Sequence, residues 1–114
     1  MPRNVAAIGK CAGPLLDSVT TVLAIDSAFA AIPDGYVLPR TPAEVHVGGH
    51  PRMTAASFAA GRALLEWVDA HEDILFLVSG GGSACVEVPL PGFTEQEVAA
   101  RNAELVALPL PIGA

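Results

Sequence analysis

The sequence predicts an α/β layer fold with a mostly parallel sheet, and three observations carry that expectation. Short apolar runs of strand length alternate with amphipathic stretches of helix length, glycine-containing turns stand directly after the apolar runs, and no repeat or low-complexity tract interrupts the alternation. A chain of 114 residues is one domain by ordinary domain size, taken here as residues 1–114.

Val5-Ala6-Ala7-Ile8 reads as a strand stopped by Gly9. From about Lys10, residues Leu15, Leu16, Val19, Val22 and Leu23 recur at helical spacing. Pro14 fits only the first turn of a helix, where its missing N–H has no partner to lose, so the helix starts near residues 11–13, with Gly13 at its edge. Residues 24–33 carry Ile25, Phe29 and Ile32 at spacings that extend a helix or pack as an irregular connection, and helix or loop is expected up to the Pro33-Asp34-Gly35 turn. Tyr36-Val37-Leu38 then reads as a short strand, Pro39 to Pro42 as a turn, and Val45-His46-Val47 as a second short strand stopped by Gly48-Gly49.

Thr54 to Ala70 is the clearest helix, with Ala55, Phe58, Ala59, Leu64, Leu65 and Val68 on one broad face, Thr54 or Ser57 to cap its start and His71 to meet its last carbonyls. Ile74-Leu75-Phe76-Leu77-Val78 is apolar without alternation, the pattern of a central strand covered on both faces. After a loop holding Pro89, Pro91 and Gly92, the segment Thr94-Glu95-Gln96-Glu97 has the form of a capping box and opens a helix to about Val106. Leu108 to Ala114 is apolar with no polar tail, as in a chain that continues.

Composition limits the function. Hydrophobic residues make up 52%, charged residues 16%, and mean hydropathy is +0.49, so some apolar surface is expected to meet a partner, such as a second copy of the chain, or a missing segment. The apolar runs fall far short of the ~20 residues that cross a bilayer, and Met1-Pro2-Arg3-Asn4 opens no secretory signal, so a cytoplasmic protein without membrane contact is expected. The formal net charge of -6 opposes the attraction that nucleic-acid binders use. It also means that any phosphate site has to rely on backbone dipoles, a few cations or a divalent metal. Cys11 and Cys85 have no metal-ligand spacing and are expected to be buried, reduced thiols.

In parallel sheets ligands sit beyond the carboxyl ends of the strands, where both Gly9-Lys10 and Ser79-Gly80-Gly81-Gly82-Ser83 stand. Three consecutive glycines favour dihedrals or close approaches that a side chain blocks, and successive N–H groups between two hydroxyls form an anion nest. A plain tight turn is the alternative. The segment is neither a G-x-x-x-x-G-K-[ST] loop nor a dinucleotide fingerprint, because Cys85 stands where the third glycine is due. Lys10 can neutralise charge on a transferring phosphoryl group or simply be a solvated surface lysine. His50, between Gly49 and Pro51, can bind substrate or exchange a proton, or merely position its loop. His46 and His71 read as structural. The acidic residues offer no evident base or metal pair, since Glu72-Asp73 lies at the wrong end of its strand and Asp69, Glu95 and Glu97 read as solvated helix charges.

Taken in order and spacing, Ile8-Gly9-Lys10-Cys11-Ala12, Gly49-His50-Pro51, Leu77 to Ala84 and Pro91-Gly92-Phe93-Thr94 resemble the N-terminal domain of type-2 (MOFRL-type) glycerate kinases, relatives of which also carry the label hydroxypyruvate reductase. The resemblance implies a Rossmann-like three-layer domain, with Lys10 as the catalytic lysine, Ser79 to Ser83 as the ligand-binding loop and His50 at the family's His-Pro position. It further implies ATP and Mg²⁺ as cofactors, D-glycerate as substrate and 2-phosphoglycerate as product. Arg52-Met53-Thr54 departs from the family's continuation after His-Pro, and Leu108-Pro109 replaces a Ser-Gly pair. The family has further helix upstream and an aspartate and second domain downstream, so this piece is expected to be truncated at both ends and inactive alone. Two other readings stand beside it: a non-catalytic anion- or phosphosugar-binding or assembly module, and a hydroxypyruvate reductase, against which the missing dinucleotide fingerprint counts.

Overall fold

Four parallel strands in the order β3-β2-β1-β4 form the centre of the computed structural model, which describes residues 3–50, 52–89 and 91–107. In chain order the elements are β1 (Asn4–Ile8), α1 (Ala12–Val19), β2 (Ser27–Pro33), β3 (Glu44–Gly48), α2 (Ala55–Ala70), β4 (Ile74–Val78), α3 (Gly82–Cys85) and α4 (Glu95–Ala107). The registers are continuous: Ile8 stands opposite Ala31 of β2 and Val78 of β4, so the first and last strands end level with each other.

Alternation along the strands divides the core into two layers. On one face Val5, Ala7, Ala28, Ala30 and Ile32 pack with Ala12 and Leu16 of α1. On the other, Ala6, Phe29 and Ala31 pack with Trp67 of α2. Phe29, Leu16 and Ile32 are the largest fully buried side chains, each contributing roughly 1.5–3 kcal/mol of transfer free energy. The alanines of β1 and β2 let both helices approach the sheet, giving the α/β three-layer arrangement that the alternating sequence predicts.

Helix α1 starts where Pro14 requires, with Cys11 as its N-cap, but ends at Val19, so Val22 lies outside it and is exposed. Helix α2 spans the predicted stretch but does not bury the predicted face: Ala55, Ala59 and Leu65 are exposed, while Ser57, Phe58, Ala60, Gly61 and Trp67 are buried, because the backbone at Glu87 rests on Ser57 and Gly61. The ring Nδ1 of His71 lies 2.6 Å from the carbonyl oxygen of Trp67 at its end. The capping box of α4 forms: Thr94 N–H donates to Glu97 Oε1 at 3.3 Å and Glu97 N–H to Thr94 Oγ1 at 3.1 Å.

Four further expectations are corrected. Ser27–Pro33 is not helix or loop but the central strand β2: its Ala-rich sequence gives no alternation because both faces are covered. Tyr36-Val37-Leu38 is not a strand, since the chain runs from β2 to β3 through residues 34–43 as an irregular connection lying on α1. Strand β4 is not central: among the described residues it pairs only with β1, Leu75 and Leu77 meet the α1 layer, and Phe76 and Val78 stay 48% and 71% exposed. Cys11 is exposed, and only Cys85 is buried. The apolar stretch Leu108 to Ala114 and the residue Pro51 lie outside the described residues. No helix among the described residues is long and apolar enough to cross a membrane.

Candidate functional site

The strand order reverses between β1 and β4. From β1 the chain leaves to α1 on one face and on to β2; from β4 it leaves to α3, which packs against β2, β3 and α2 on the other. Two neighbouring strands whose exits diverge leave a crevice at their carboxyl ends, the place where open α/β sheets bind ligands.

The two exits are bonded into one unit. Ser79 N–H donates to the Ile8 carbonyl at 2.9 Å, and Lys10 N–H donates to the Gly80 carbonyl at 2.8 Å. The Ser79 hydroxyl donates to the Ile8 carbonyl at 3.1 Å and accepts the Cys11 N–H at 3.0 Å. Ser79 thus holds the β1 exit against the β4 exit. Gly9 is required at this junction: its φ is +111°, and a Cβ there would fall 2.5 Å from both the Ser79 carbonyl and its hydroxyl.

The three glycines play different parts. Gly81 has φ +83°, and a Cβ on it would lie 3.1 Å from Lys10 Cγ, 3.2 Å from Lys10 Cε and 3.2 Å from His50 Cε1. Lys10 and His50, distant in sequence, therefore both line the Gly81 turn. Gly82 begins α3 under the Ile8 side chain, where a Cβ would meet Ile8 Cγ2 at 3.0 Å, and Gly80 has open space around its α-carbon. None of the N–H groups of Gly80, Gly81 and Gly82 donates to another described residue. Ser83 lies in α3, and its side chain is outside the described residues.

His50 reaches this turn from the loop after β3. The buried Ser57 hydroxyl accepts the Gly49 N–H and the Thr54 N–H, each at 3.0 Å, closing the loop over the start of α2. His50 Nδ1, bonded to the Cε1 that faces Gly81, is buried and has no partner among the described residues. A buried polar atom without a partner is costly in the absence of a ligand or water. His46 does what a structural histidine does, stacking on Phe29 with ring centroids 5.3 Å apart and meeting Glu44 at 2.9 Å. Cys85 is fixed beneath the cradle, where burial pushes its thiol pKa up.

Two contributors were missed from sequence. Ser57 read only as a cap, though a serine three residues past Thr54 is also placed to hold the preceding loop. Tyr36 read as part of an apolar strand, yet Lys10 Nζ lies 5.6 Å from its ring centroid. The arrangement can bind an anionic oxygen: N–H groups at a left-handed turn and an imidazole nitrogen, none with a partner among the described residues, and one ammonium beside them. Among the described residues no three His, Cys, Asp or Glu side chains gather as a metal site.

The family described as "Domain of unknown function (DUF4147)" matches residues 3–114. A D-glycerate 2-kinase from Thermotoga maritima is 38% identical over 58 residues, covering 48% of this chain and 14% of that protein. The crystal structure of the PH0495 protein from Pyrococcus horikoshii OT3 superimposes with a TM-score of 0.73 at 26% identity, covering 82% of this chain and 22% of that one. The chain thus spans about one seventh of the curated relative's length and less than a quarter of the solved one's.

Proposed function

Because the chain belongs to the DUF4147 family, the N-terminal domain of MOFRL-type glycerate kinases, we propose that it is the part of a D-glycerate 2-kinase that grips an anionic group of the substrates at the β1/β4 crevice. The observation that carries this reading is the meeting of Lys10 and the Gly81 turn, beside N–H groups of Gly80 to Gly82 that donate to no other described residue.

In the proposed reaction the 2-hydroxyl oxygen of D-glycerate bonds to the γ-phosphorus of ATP, the bond from that phosphorus to the β,γ-bridging oxygen breaks, and the hydroxyl proton is lost. ADP and 2-phosphoglycerate result. Such transfers are catalysed mostly by positioning and by stabilising charge. Here Lys10 supplies fixed positive charge, the glycine N–H groups supply dipoles that need no reorganisation, and His50 Nδ1 offers a bond to a substrate oxygen or its proton. Ser79 acts by locking the two turns together. The reaction calls for Mg²⁺. Among the described residues no three His, Cys, Asp or Glu side chains gather to hold it, and no step is assigned to a Mg²⁺ ligand of this chain.

One second reading stands beside it, an anion-binding module without catalysis, which needs only the glycine N–H groups and Lys10 at the crevice. Calorimetry on this chain with D-glycerate, MgATP and a sugar phosphate separates the two. The kinase reading expects D-glycerate or MgATP to bind and Lys10→Met to weaken that binding at least tenfold, with no turnover by the piece alone. Preference for the sugar phosphate supports the module. Binding indifferent to Lys10 contradicts both.

A further inference from the structure

Tyr36 sits where nothing in its sequence surroundings marks it, between the Pro33-Asp34-Gly35 turn and two exposed apolar residues, Val37 and Leu38. The residue is 40% exposed, so it does not belong to the core. Yet the ring face lies 5.6 Å from Lys10 Nζ, within the ~6 Å over which an aromatic quadrupole holds an ammonium. The ring of His50 meets it edge-on, with centroids 6.2 Å apart and planes at 81°. One ring thus touches both side chains that line the Gly81 turn.

The connection that carries Tyr36 is anchored through its backbone. Asp34 N–H donates to the Gly48 carbonyl at 2.9 Å, and Tyr36 N–H to the Pro33 carbonyl at 3.3 Å. On the far side, Gly13 lets the backbone of residues 37–39 rest on α1, where a Cβ would fall 2.3 Å from the Val37 carbonyl oxygen. Beyond that contact the Asp17 carboxylate accepts the Arg40 N–H at 3.0 Å, the Thr41 N–H at 2.9 Å and the Thr41 hydroxyl at 2.7 Å. Val37 and Leu38 remain 67% and 54% exposed, so these anchors serve the placement of the segment rather than the burial of its apolar side chains.

We infer that Tyr36 is a positioning residue for Lys10. Its ring face confines the ammonium beside the Gly81 turn, so that an arriving anion meets a cation already in place instead of one that must first be ordered. The role belongs to the ring, whose face meets the Lys10 ammonium and which His50 meets edge-on, so phenylalanine should replace it. The inference rests on the reading of Lys10 as the cation of the cradle.

Lys10 is the chain's only lysine, so its ε-methylene protons give one signal in lysine-labelled protein. We expect that signal to be shifted upfield by the ring current in the unmodified chain and in Tyr36→Phe, and to return to the free-lysine position in Tyr36→Leu. Titration with inorganic phosphate should show affinity within twofold of the unmodified chain for Tyr36→Phe, about fivefold weaker for Tyr36→Leu, and at least tenfold weaker for Lys10→Met. A signal without upfield shift in the unmodified chain overturns the inference whether or not any variant folds. So does a Tyr36→Leu chain that binds phosphate as tightly as the unmodified one while Lys10→Met does not, and in that case the cation reading survives. Phosphate binding unchanged in Lys10→Met overturns the cation reading, and with it the role assigned to Tyr36.

Discussion

Strands β1 and β4 lie side by side, run in the same direction and end at the same crevice, yet the less apolar of the two is the better buried. In Asn-Val-Ala-Ala-Ile, residues Val5, Ala6 and Ala7 are fully buried, whereas in Ile-Leu-Phe-Leu-Val, Phe76 is 48% and Val78 71% exposed. Neighbours make the difference: β1 lies between two strands with core layers on both faces, while β4 has β1 alone among the described residues and α2 packs mainly over β3. The composition of a run reports the cover it suits, and its exposure reports the neighbours it has. The apolar excess of the chain is found in part at this bare half of β4. At their carboxyl ends the two strands are nonetheless bonded into the same pair of turns.

The largest effect is therefore expected where the strands meet. Lys10→Met in a longer protein carrying this sequence should lower kcat/KM for D-glycerate phosphorylation by about 10²-fold or more, as removal of a preorganised charge-stabilising group does. An assay of ADP release checks it, and unchanged turnover would separate the crevice from the chemistry. Next comes a matched pair across the two strands. Val5→Thr buries a hydroxyl and should cost about 1–3 kcal/mol in denaturant unfolding, while Val78→Thr should stay within about 0.5 kcal/mol. Equal losses would mean that β4 is covered in solution.

Ser57→Ala tests the support under His50. It strips the acceptor from the Gly49 and Thr54 N–H groups and should cost about 1–2 kcal/mol. Faster amide exchange should be confined to residues 49–54, and exchange spread evenly over α2 would deny Ser57 this local part.

The smallest effect is at the far end of the connection that carries Tyr36, where Asp17 of α1 holds Arg40 and Thr41. The Thr41 hydroxyl and the Arg40 and Thr41 N–H groups hold its carboxyl pKa below the ordinary carboxylate value. A depressed folded-state pKa means that this clamp stabilises the fold above the unfolded-state pKa and is lost as pH falls through the folded one. Asp17→Asn should flatten that acid-side slope, and the Thr41 amide should report a titration below the ordinary range. A titration at or above that range would contradict the clamp.

Much of this arrangement is readable from the residues alone, and the parts that are not have physical causes. Gly9-Lys10 and Ser79 to Gly82 stand out because glycines directly after apolar runs mark sharp turns, and α2 stands out by its length and helical spacing, although the face it buries, with Ser57, Ala60 and Gly61 in it, is not the one its apolar residues mark. Strand β2 does not, because Ala-Phe-Ala-Ala-Ile fits a helical spacing as well as a doubly covered strand, and tertiary position decides between them. Tyr36 is hidden for the opposite reason: the apolar trio Tyr36-Val37-Leu38 has strand composition, but a glycine with φ +90° just before it and the clamp at Asp17 hold it as a loop. The hydroxyl of Ser79 looks like a ligand group in sequence and is committed to the neighbouring turn in the fold.

The central claim is that the glycine N–H groups and the Lys10 ammonium hold one anion together. Amide and lysine side-chain resonances followed during a titration with inorganic phosphate test it most directly. The account predicts that the Gly80, Gly81 and Gly82 amides and the Lys10 ε-signal move with a single dissociation constant, and that the glycine shifts weaken at least tenfold in folded Lys10→Met. Glycine amides that stay in place, or that titrate independently of Lys10, would contradict it.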